Sequence, residues 1–154
     1  MAGGSGAAPT LRYDPAADLA ERYPEWRVYT ADLDGIVPEV MSPKRKFILL
    51  EETTSAVVQR CSLAHAIAHI DLGHGWTLPG WFENKEESDA DDLASRRLIA
   101  LEDLARALAW SRDREEIAAE LEVDLEMLEV RERKLDRKER IRLRRLLSRR
   151  VDLD

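Results

Sequence analysis

The chain is poor in the residues that usually mark specialised chemistry. It has one cysteine, three histidines, two phenylalanines and seven glycines among 154 residues. A lone Cys61 excludes an internal disulfide, and that usage suits a reducing compartment, so a cytoplasmic location is expected. No run approaches the ~20 apolar residues that span a bilayer, which excludes a membrane-spanning reading. The opening Met1-Ala-Gly-Gly-Ser-Gly-Ala-Ala-Pro9 has neither a basic start nor an apolar centre. Residues 1–10 therefore read as a flexible tail and not as a signal peptide. Internal repeats are also missing, which removes solenoid architectures.

What is present is charge and helix-forming residues. The composition is 44% hydrophobic and 36% charged, as in a protein rich in exposed helix. The net charge of -7 is unevenly spread. Residues 131–150 hold eleven Lys or Arg against three Asp or Glu, so an acidic body carries a basic end.

Local patterns divide the chain into a strand-bearing first part and a helical remainder. Asp14-Pro15 opens a short helix running to about Arg22. Strands are expected at Trp26–Ala31, Gly35–Met41 and Lys46–Glu51, joined by short connections that favour a small antiparallel or mixed sheet. A helix from Ser55 to about Leu72 follows, stopped by Gly73 and Gly75. Trp76–Asn84 reads as an aromatic loop, with Trp76, Trp81 and Phe82 either lining a cleft or packing on the body. Further helices are expected near 85–100, 102–110, 114–121, 125–134 and 137–149. Asp113 caps the helix beginning at Arg114, with Glu116 placed for a capping box. The fold class is α+β: a small three-stranded sheet, an active-site helix and a helical C-terminal half. Residues 11–112 are expected to form the core and 113–154 a helical extension.

All three histidines fall within His65-Ala-Ile-Ala-His69-Ile-Asp-Leu-Gly-His74. Helical spacing of four places His65 and His69 on one face, where two imidazoles can grip one metal ion. This is the spacing of the H-E-x-x-H zinc motif, whose glutamate is the general base. Here that position is Ala66. A catalytic zinc needs three protein ligands and one open position. The extended H-E-x-x-H-x-x-G-x-x-H pattern would need glycine at 72 and histidine at 75, but the chain has Leu72 and Gly75. His74 is therefore assigned to the rim. The third ligand is sought among the carboxylates of Lys85–Ile99.

Leu63-Ala64-His65-x-x-x-His69-x-x-Leu72-Gly73-His74, followed by that acidic helix, resembles the ImmA/IrrE metallopeptidases over roughly residues 24–135. The resemblance implies a zinc endopeptidase that cleaves helix-turn-helix repressors in phage, mobile-element or stress circuits. It implies a carboxylate ligand within Asp89-Ala90-Asp91-Asp92-Leu93-Ala94-Ser95, which puts it at Asp89, with Asp91 and Glu86 as substitutes. The ligand set is then His65, His69 and Asp89 around Zn2+. Ala66 marks the missing base, so the chain is expected to bind metal and cut little or not at all. Ala66 is either an introduced inactivating change or the mark of a natural pseudoprotease. The alternative function is a non-catalytic zinc-binding module, a pseudoprotease or anti-repressor, that binds a repressor without cutting.

Glu116-Ile-Ala-Ala-Glu-Leu121-Glu-Val123-Asp-Leu-Glu-Met-Leu128 has the pattern of a helix-turn-helix. Its second helix opens with Asp124, Glu126 and Glu129, which does not suit phosphates or base edges. Direct DNA binding is therefore not expected. The partner is expected to be a protein.

Overall fold

A computed structural model describes residues 12–74 and 81–152. Its order is α1 (Pro15–Arg22), β1 (Arg27–Ala31), β2 (Glu39–Ser42), β3 (Phe47–Glu51), α2 (Ala56–Asp71), α3 (Trp81–Leu98), α4 (Leu101–Trp110), α5 (Arg114–Glu120), α6 (Leu125–Arg133) and α7 (Arg137–Asp152). The fold is α+β, as expected. The tail 1–10, Gly75 and Trp76 lie outside the described residues, and so do the side chains of Trp81 and Phe82. Helix begins at Trp81, inside the expected loop to Asn84. The chain divides into two units, Tyr13–Ala94 and Ser95–Asp154 with the first residues of the chain.

In the first unit the sheet order is β1-β3-β2. β3 pairs in parallel with β1 and antiparallel with β2, so the sheet is mixed. The second strand is shorter than expected because Asp34-Gly35, both with positive φ, turn the chain before it. Glu51 shapes that turn. Its side chain, 1% exposed, accepts hydrogen bonds from the backbone N–H groups of Leu33 (3.1 Å) and Gly35 (3.0 Å). A buried carboxylate surrounded by backbone donors in this way replaces the water those donors lose.

Strand alternation aims Ile48 and Leu50 into a cluster with Leu19, Trp26, Leu63, Ala66 and Ile67. The register puts Met41 opposite Ile48 and Glu39 opposite Leu50, so both share that face. α2 is buried continuously from Cys61 to Ala68, which is how a helix apolar on every side is accommodated. Ser55 caps its start by accepting from Val58 N–H. Its far end is held to α1, where Asp71 receives Arg22 Nη1 at 2.7 Å and the Tyr23 hydroxyl.

α2 stops in a Schellman arrangement. Gly73 at φ +70 lets its N–H reach Ile70 O (3.1 Å), and His74 N–H returns to His69 O (3.0 Å). A residue with a side chain is strained at that φ. The cap therefore folds His74 back over the helix it has just left.

In the second unit α4 packs against α5 and α7, and α5 against α6. Val123 and Leu128 are buried, as the helix-turn-helix pattern requires. At the start of α5 the expected capping box is bridged by a hydroxyl. Ser111 Oγ accepts from Asp113 N–H (3.0 Å) and donates to Glu116 (2.6 Å).

Glu139 on α7 receives Arg131 at 2.7 Å and also Arg96. Burial pushes its carboxyl up, but Arg131, the Asp136 backbone and Arg96 outweigh that and bring its pKa down to about 2. A carboxylate depressed in the folded state, against an ordinary value of about 4.3, stabilises the fold above that value. The contribution is lost as pH falls from about 4 to about 2. Glu139→Gln is expected to lower the melting temperature at pH 6, and the gap to the parent should close by pH 2. A gap that is constant with pH would show that the ion pair is not its source.

Candidate metal centre

The first unit brings together both motif histidines and one carboxylate. His65 Nε2 and His69 Nε2 are 3.0 Å apart, since spacing of four stacks them on one helix face. Glu87 on α3 meets both, with Oε2 3.0 Å from His65 Nε2 and Oε1 2.9 Å from His69 Nε2. These three residues offer ligand atoms within 4.8 Å of one another. Zinc bonds of about 2.0–2.2 Å place tetrahedral ligands roughly 3.3 Å apart. The observed spacings are a few tenths shorter, and the donor set of two imidazoles and a carboxylate is one that zinc accepts.

The surrounding groups orient the pair. Asp91 lies 2.9 Å from His65 Nδ1, the nitrogen turned away from the convergence point. His74 Nδ1 lies 2.9 Å from His69 Nδ1. Partners on the outer nitrogen fix tautomer and ring direction, leaving Nε2 free to bind. The rim position read for His74 is thus an orienting one, created by the Schellman cap.

Electrostatics reflects the crowding. Burial lowers the pKa of His65, but hydrogen bonds to Asp91 and Glu87 and the charge of Glu39 raise it to about 10. Burial, then the charge of His65, pushes His69 down. Glu87 is held below the ordinary carboxylate range, first by its hydrogen bond with His65. One imidazolium and one neutral imidazole thus share the face. A cation bound there would displace the proton of His65.

Of the residues read from the sequence, His65 and His69 face one point, and Ala66 is 1% exposed within the apolar cluster. Asp89 is not among the three converging residues. Its carboxylate receives Lys85 Nζ at 2.9 Å, one turn away along α3. The carboxylate at the pair is Glu87, two positions earlier than the motif register placed it. A signal was available in the sequence: Glu87, Ala90, Asp91 and Ala94 form an i, i+3, i+4, i+7 stripe, and both alanines are fully buried. Asp89 falls off that stripe.

A model of the IrrE N-terminal-like domain of the M78 peptidases matches residues 16–132. The chain belongs to the M78 family. No curated protein and no solved structure matched it. M78 is a metallopeptidase family, and the matched span contains every residue of the site described above. Among the described residues no helix is long and apolar enough to cross a membrane.

Proposed function

We propose that this M78 protein binds one zinc ion through His65, His69 and Glu87, engages a helix-turn-helix repressor, and cuts it slowly or not at all. The observation that carries the reading is the convergence of two imidazole nitrogens and one carboxylate at 2.9–3.0 Å. Zinc, when bound, polarises a scissile carbonyl and brings a bound water to a pKa of about 7. The chain's own residues do the rest: Glu87 and the histidines hold, while Asp91 and His74 orient. Position 66 offers a methyl group where a proton acceptor is needed. The repressor as partner rests on the family resemblance, and a cytoplasmic setting for it on the single cysteine.

A second reading, a zinc-binding module that binds a repressor without cutting, is supported by the packing of Ala66 in the cluster with Leu63, Ile67 and Trp26. The test of the shared part is metal content and binding. Zinc reconstitution should give a 1:1 complex that is lost in His65→Ala and His69→Ala. A purified helix-turn-helix repressor from the same host should remain intact in the complex. A chain that takes up no zinc after reconstitution sinks both readings.

A further inference from the structure

Beside the three converging residues stands one more carboxylate, and it is part-buried. Glu39 lies on the edge strand β2, with Oε1 3.8 Å from His65 Nε2 and a hydrogen bond from Ser62 of α2. Its side chain is 18% exposed, against 53% for Glu87. Atoms held by one zinc at about 2.0–2.2 Å lie roughly 3.3–4 Å from one another. The spacing of Glu39 to His65 is therefore that of two ligands of one ion, and Glu39, which lies outside the three residues whose ligand atoms are all within 4.8 Å of one another, reaches such an ion by a side-chain shift.

Charge points the same way. Three carboxylates, those of Glu39, Glu87 and Asp91, surround His65. Even against a charged His65 they leave negative charge in excess beside a buried ring, which is unfavourable where water is partly excluded. A divalent cation removes the excess.

We propose that Glu39 is a fourth protein donor to the ion held by His65, His69 and Glu87, so that the chain itself takes the position a catalytic site leaves open. The inference rests on the metal-binding reading above. Four protein donors make a closed site of the structural kind. A closed site has no use for a proton acceptor at position 66, which agrees with the alanine found there.

The test is a titration of the full chain, Glu39→Gln and Glu87→Gln with Co2+, whose visible bands report its ligands. Glutamine keeps the volume of Glu39 and an oxygen for Ser62. Glu39→Gln should bind one Co2+ at least about tenfold more weakly, with displaced visible bands and metal-free melting no lower than the parent's. Wild-type affinity and spectrum in Glu39→Gln, with binding lost in Glu87→Gln, would overturn the proposal and leave the metal site standing. A weaker affinity with an unchanged spectrum also overturns it, since that marks a group beyond the ligands. If the parent takes up no Co2+, the metal-binding reading falls and this inference falls with it.

Discussion

Ala66→Glu is expected to raise repressor cleavage by ~10²–10⁴-fold, the usual worth of a positioned general base. The gain should be fullest in a Glu39→Gln background, where the fourth position is free, and smaller where Glu39 competes for it. The substitution is not free of structural cost. Ala66 is 1% exposed and belongs to the cluster of Leu19, Trp26, Ile48, Leu50, Leu63 and Ile67. A glutamate there must turn its carboxylate out of apolar surroundings toward the histidines, and melting should fall accordingly. Ala66→Gln carries the same bulk without a proton acceptor, so it isolates the chemistry. It should melt like Ala66→Glu and remain inactive. The measurement is cleavage of a purified repressor by zinc-loaded protein, followed by mass spectrometry of the fragments. A folded, loaded, repressor-bound Ala66→Glu chain that cuts no faster than Ala66→Gln, with Glu39 changed as well, would establish the interaction module.

The second large effect separates two carboxylates two residues apart. Glu87→Gln should weaken zinc binding by more than the ~10–100-fold typical of an outer-shell change, because it removes the negative charge and one of the two oxygens that meet the histidines. Asp89→Asn should leave zinc affinity unchanged, since Asp89 pairs with Lys85 and is not among the three converging residues. Competition against a chelator of known affinity measures both. The reverse pattern would return the ligand to Asp89 and dismiss the geometry seen at Glu87.

The difference between these residues shows how far a motif can be carried. The histidine pair depends on helical spacing alone, because residues four apart on one helix share a face whatever the helix packs on. The carboxylate comes from another helix, and its identity depends on how α3 is rotated against α2. Matching Asp89-Ala90 to the family segment fixed a register by residue type, whereas the rotation follows the buried alanines. His74 presents the same limit differently. Its place after the helix was legible, but its contact with His69 depends on the positive φ of Gly73 and two returning backbone hydrogen bonds.

Glu39 had no signal of its own. It falls inside the expected strand Gly35–Met41, but nothing local said that the strand would pair at the edge of the sheet, antiparallel to β3, with Glu39 on the face toward α2. The sequence alone determined the α+β class, the buried helix with His65 and His69 on one face, and the alanine where a base would stand. All of these follow from local periodicity and residue type. Only the tertiary structure decided which carboxylates reach the histidines: Glu87 and Glu39 at Nε2 of His65, and Asp91 at its Nδ1. The physical reason is that a ligand set is an intersection of distant segments. Helix rotation and strand register, set by packing across the whole unit, determine where those segments meet.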